Sequence, residues 1–133
     1  SWASYAAEHP ELAQELLDVM AGKLQPGWED AIPSFTSLEK AEATRASSGR
    51  VIQEAAKVVP NLLGGSADLA GSNKTTISDS GVFLPDSPTG QKLHFGIREH
   101  AMGGIMNGMA LHGGIRPYGG TFLIFSDYMR PSI

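Results

Sequence analysis

The sequence has no cysteine, so disulfides, thiolate metal sites and cysteine nucleophiles are all excluded, which suits a reducing cytoplasm. It also lacks a basic stripe. Ten Lys and Arg stand scattered against fourteen Asp and Glu, a net charge of −4, so neither nucleic acid nor an anionic membrane is an expected partner. No apolar run approaches the ~18 residues that a membrane span needs. The opening "SWASYAAEHP" has no basic stretch followed by an apolar one and does not read as a signal peptide. No internal repeat or low-complexity segment is present.

What remains is a chain of 133 residues with an ordinary hydrophobic share of 41%, enough for one domain with a core. Glycine is abundant and falls in pairs: Gly64-Gly65, Gly103-Gly104, Gly113-Gly114 and Gly119-Gly120. Such pairs mark sharp turns or close backbone approach. "HPELAQELLDVMAGK" reads as an amphipathic helix, with Pro10 in its first turn and Gly22 at its end. "LQPGWEDAIPSF" has two prolines and no periodicity, which predicts an extended connector. "ATRASSGRVIQEAAKVVP" predicts a second helix with Thr44 as N-cap and Pro60 as its stop. Leu62 to Gly64 predicts a short buried strand, "KTTISDSGVFLPDSPTG" a surface loop, and "LHFGI" a second strand. A helix over "REHAMGGIMNGMALHGG", a third strand in "IRPYGGTF" and a helix starting in "TFLIFSDYMR" complete the order. Continuous apolar strands alternating with helices argue an α/β fold with a parallel sheet flanked by helices. Three parallel strands bury poorly by themselves, so the chain reads as part of something larger.

Three stretches carry candidate chemistry. Glu99 follows the predicted strand "LHFGI" and opens the predicted helix, the junction where ligands sit in parallel α/β sheets. On residue pattern alone the plainer reading comes first, a first-turn acid that favours the positive helix end. Its flanks are nearly uncharged, however, so the carboxylate is expected to face a poorly hydrated space. Phe122, Phe125 and Tyr128 recur at a spacing of three, which suits either a core face or an aromatic wall for a flat heterocycle. "GGSADLAGSN" sets Asp68, Ser72 and Asn73 in a Gly-rich loop after a strand; a plain turn would use the same residues, and P-loop lysine spacing is missing. His94, His100 and His112 lack metal-ligand spacing, and Arg45 alone is a solvated charge.

Together, "GGSADLAGSN", "HFGIREHAMGGIMNGMALHGG" and "RPYGGTFLIFSDY" closely resemble the transketolase family. The likeness is to the opening half of the domain that holds the aminopyrimidine of thiamine diphosphate. It implies an incomplete pyrimidine-type domain over residues 41–133, preceded at 1–40 by a linker helix and extended connector. By this resemblance Glu99 is the catalytic glutamate, bonded to the pyrimidine nitrogen opposite the amino group. That bond favours the imino tautomer, which takes the proton from the thiazolium carbon. Phe122, Phe125 and Tyr128 correspond to the aromatic pocket of the pyrimidine, and Asp68 and Leu69 to contacts on the bent cofactor. Arg45 and Ser72 correspond to binders of the sugar-phosphate substrate's phosphate. The implied activity is transfer of a two-carbon ketol unit between sugar phosphates in the pentose phosphate pathway. It implies a homodimer whose site forms between subunits, with Mg²⁺ or Ca²⁺ held by residues outside this chain. Alternatives are a dihydroxyacetone synthase-like transferase or a non-catalytic subunit that retains the fold. Taken alone, the chain is expected to be inactive.

Overall fold

The computed structural model describes residues 1–36 and 40–133. Two helices open it, α1 (Trp2–Glu8) and α2 (Pro10–Met20), followed by a short 3₁₀ helix over Trp28–Ala31. Then come α3 (Thr44–Val58), β1 (Leu62–Ser66), the single turn α4 (Ala70–Asn73), β2 (Lys92–His94), α5 (Glu99–His112) and β3 (Arg116–Gly120). A second 3₁₀ helix runs over Leu123–Ser132. The three strands form one parallel sheet in the order β2-β1-β3, with Gly65 opposite both Leu93 and Gly119.

The centre strand shows why paired glycines were needed. A Cβ on Gly64 would collide with the Tyr118 carbonyl, and one on Gly65 with the Leu93 carbonyl, so β1 can lie between its neighbours only without side chains there. At the other end of the sheet, Gly113 and Gly114 both have φ +81, turning the chain from α5 into β3. The core packs Ala67, Phe95 and Met102 together, with Leu93, Met106 and Met129 against them. It lies between the sheet, α5 and the last 3₁₀ helix. Met102, only 1% exposed, is its centre.

Several local expectations change. α3 starts at Thr44 itself, and the cap position is Ala43, which offers no side chain to the free amides. β1 continues two residues further than expected, to Ser66. β2 ends at His94, because Gly96 (φ +67) bends the chain out of extended geometry before α5. The connector after α2 contains the Trp28–Ala31 turn, and α1 was not apparent from any periodicity. The "TFLIFSDYMR" segment is 3₁₀ rather than α, with Phe122 outside it as the capping residue. Its far end is tied to α5 by Ser132: the hydroxyl lies 2.6 Å from His100 Nδ1, and Asn107 Nδ2 donates to the Ser132 carbonyl at 2.7 Å.

Large apolar side chains remain in solvent, including Leu111, Leu123, Ile124, Ile97 and Ile133, all more than 70% exposed. The accessible surface is 8846 Å². A compact monomer of 14.1 kDa would expose roughly 6700 Å². Among the described residues, no helix is long and apolar enough to cross a membrane.

Candidate functional site

In a parallel sheet all strand ends of one kind share one edge, so the segments after β1, β2 and β3 converge. After β1, the backbone closes two tight turns, Asp68 N–H to the Ser66 carbonyl at 3.0 Å and Leu69 N–H to the Ala67 carbonyl at 3.0 Å. Asp68 takes φ 71, a left-handed conformation that Asp tolerates better than most residues. This places its exposed carboxylate at the sheet edge. After β2, the bend at Gly96 is held by Arg98, whose Nη1 donates to the Phe95 carbonyl at 3.2 Å, and Glu99 follows as the first residue of α5. After β3, Thr121 and Phe122 lead into the 3₁₀ helix.

That helix type matters for the aromatic residues. With three residues per turn, side chains three apart eclipse instead of drifting round the axis. Phe125 and Tyr128 stand with ring centroids 6.1 Å apart, and Phe122 meets Phe125 edge-on at 6.4 Å. Both geometries suit aromatic contact.

These segments enclose an open cavity of about 500 Å³ lined by Ala67, Asp68, Leu69, Ile97, Glu99, Phe125 and Tyr128. Glu99 is 8% exposed, and its carboxylate has no hydrogen-bond or ion-pair partner among the described residues. Most of the residue is buried, while its carboxylate oxygens open on the cavity, where a ligand can satisfy them. Here the start of α5 favours its charge on one side, and on the other it lines the cavity.

The sequence-derived residues divide between two neighbouring spaces. Asp68, Leu69, Glu99, Phe125 and Tyr128 share the cavity just described. Phe122 and Arg45 line a second, about 660 Å³, between the start of α3 and the end of β3, where the Arg45 guanidinium sits 5.9 Å from the Phe122 ring centroid. The Phe122–Phe125 ring contact joins the two spaces. Ser72 is exposed on α4 and lines neither. Sequence reasoning missed Ala67 and Ile97. The signal for Ile97 was its position, an apolar residue two before the acid at the end of the predicted strand; it lines the cavity while 79% exposed. The second space also holds Tyr118, whose hydroxyl donates to the Thr75 carbonyl at 2.8 Å and whose burial pushes its pKa up to about 12.

The side chains suit part of a heterocyclic cofactor: the Phe125 and Tyr128 rings for a flat face and one carboxyl for a ring nitrogen. Among the described residues, no group of three His, Asp or Glu side chains is arranged to hold a metal ion.

Comparison with known proteins gives a consistent result. Residues 40–133 match the family model described as the transketolase pyrimidine-binding domain. A transketolase of Geobacillus stearothermophilus is 56% identical over 131 residues, covering 98% of this chain and 20% of that protein. Pichia stipitis transketolase in complex with sedoheptulose 7-phosphate superposes with a TM-score of 0.92 at 40% identity, over 98% of this chain and 20% of the other. Leishmania mexicana transketolase gives 0.91 at 39% identity, over 98% and 19%. The chain thus spans about a fifth of the length of the relatives it matches.

Proposed function

This chain belongs to the transketolase pyrimidine-binding domain family, and from that premise we propose that it supplies the aminopyrimidine half of a thiamine diphosphate site in a ketol transferase. The observation that carries the proposal is Glu99, buried and unpartnered in a cavity whose other walls include the Phe125 and Tyr128 rings. Residues 41–133 form the pyrimidine-binding part, and residues 1–40 connect it to another domain. The diphosphate and its Mg²⁺ or Ca²⁺ are held by residues outside this chain, across a homodimer interface in the cytoplasm.

Thiamine diphosphate, when bound, supplies the nucleophilic carbon that breaks and re-forms a carbon–carbon bond between sugars. The residues of this chain set its surroundings. Glu99 would hold a proton between its carboxylate and a ring nitrogen of the bound cofactor. Phe125 and Tyr128 fix the plane of the ring, with Phe122 behind Phe125. Leu69 packs against the cofactor and Asp68 places negative charge near it. Arg45 and Ser72 receive the phosphate of a sugar phosphate, the ligand class seen on the Pichia stipitis relative.

The test is an assay of the full-length protein with xylulose 5-phosphate, the ketose phosphate seen on another Pichia stipitis transketolase structure, as donor and ribose 5-phosphate as acceptor. Transfer that requires added thiamine diphosphate and a divalent metal is expected. Activity with formaldehyde as acceptor but not with ribose 5-phosphate would point instead to a dihydroxyacetone synthase. No transfer to either acceptor would contradict an enzymatic role.

A further inference from the structure

Asn73 is the buried polar residue of the "GGSADLAGSN" loop that the cofactor and substrate contacts leave unused. It ends α4, is 7% exposed, and is followed by Lys74 in the left-handed conformation (φ 62), which stops the turn. Its amide lies 2.6 Å from Ser66 Oγ and 2.9 Å from Thr75 Oγ1. An amide's oxygen and nitrogen are told apart only by their surroundings. The nitrogen is the atom that faces the carbonyls, donating to Thr75 Oγ1, to the Leu69 carbonyl at 3.1 Å and to the Ala70 carbonyl at 3.3 Å, while the oxygen accepts from Ser66, whose single hydroxyl proton it shares with the Gly120 carbonyl 2.9 Å away. Ser66 is the last residue of β1. Thr75 is seated on β3, with Tyr118 donating to its carbonyl at 2.8 Å and its methyl filling the space a Gly120 side chain would need. One side chain thereby joins the ends of two strands to the turn that carries Asp68, Leu69 and Ser72. A satisfied buried network of this kind is stiff.

We propose that Asn73 is a positioning residue that holds the 67–73 turn so that the Ser72 hydroxyl meets the phosphate of the ketose donor. The inference rests on the functional reading above and adds a specificity consequence to it. Asp is nearly isosteric with Asn but has no N–H. In Asn73→Asp a carboxylate would face the Leu69 and Ala70 carbonyls, so the turn would reopen. In Ser66→Ala the amide oxygen loses its donor but the nitrogen keeps its bonds, which predicts a weaker effect in the same direction. Neither change touches Glu99 or the aromatic rings.

The experiment uses full-length protein loaded with thiamine diphosphate and Mg²⁺, with glycolaldehyde as an acceptor that lacks a phosphate. Two donors are compared, sedoheptulose 7-phosphate and sedoheptulose. For Asn73→Asp any fall in kcat, through Asp68 and Leu69 on the same turn, should be alike for both donors, while the KM for the phosphorylated donor should rise about fivefold or more beyond the change in the KM for sedoheptulose. Ser66→Ala should raise the same KM about threefold, and decides the matter if Asn73→Asp does not fold. Equal rises for both donors, or no rise in Ser66→Ala together with none in a folded Asn73→Asp, would overturn the positioning role. Wild-type protein that shows no transfer, or no preference for the phosphorylated donor, would defeat the functional reading itself and the positioning role with it.

Discussion

At the residue scale, Glu99 meets two requirements at once: the first turn of α5 stabilises a carboxylate, and the same carboxylate lines the cavity without a protein partner. This is why its immediate sequence neighbourhood favoured a helix-start reading, and only the aromatic residues and the "GGSADLAGSN" loop together favoured a site. The spacing fixed its place in the chain but could not show its burial, which depends on the bend at Gly96. Ser72 illustrates the reverse case. Its residue type suits phosphate, yet the structure leaves it exposed on α4 and outside both spaces, held there by its N–H donating to the Leu69 carbonyl at 3.0 Å. Tyr118 gives a residue-scale prediction. Its pKa, raised by burial from the ordinary 10.0 to about 12, means that the folded state keeps a proton that the unfolded state gives up. Its contribution is therefore fully present below pH ~10 and is lost as pH rises toward ~12. Urea melts of wild type and Tyr118→Phe across that range should show a steeper loss of stability in wild type. Parallel curves would remove the effect from Tyr118.

The element scale separates what periodicity can reveal from what tertiary contact decides. α2, α3 and α5 were legible because their apolar residues recur at helical spacing, and β1 because its apolar run ends in glycines. The last segment was legible as helical but not as 3₁₀, since a spacing of three fits both helix types over so short a span. The difference has consequences: 3₁₀ winding eclipses Phe125 and Tyr128 into one wall of the cavity. That wall is kept close to α5 by Gly103, where a Cβ would come within 2.7 Å of Ser132 Cβ and 3.2 Å of Met129 Cε. Gly103→Ala should therefore push the two helices apart, destabilise the full-length protein by about 1–3 kcal/mol and weaken thiamine diphosphate binding. Denaturant titration and cofactor titration check the two effects; an unchanged cofactor affinity would show that the aromatic wall does not depend on this contact.

At the scale of the whole molecule, three strands and a small core leave an accessible surface about a third larger than a compact chain of this mass would show. Large apolar side chains contribute to it, with Ile97 at the cavity and Leu123 and Ile124 at the start of the last 3₁₀ helix. A site with one carboxylate, an aromatic wall and no metal-holding cluster among the described residues offers only part of what a diphosphate cofactor needs. The chain by itself is accordingly expected to show no ketol transfer from xylulose 5-phosphate to ribose 5-phosphate, and measurable turnover would contradict the shared-site account. The central claim, that Glu99 acts on the ring of a bound cofactor, is tested most directly by turnover of the full-length Glu99→Gln variant with its cofactor content measured in the same sample. The account predicts wild-type occupancy with ketol transfer slowed by about a hundredfold or more. Near-wild-type turnover at full occupancy would contradict it.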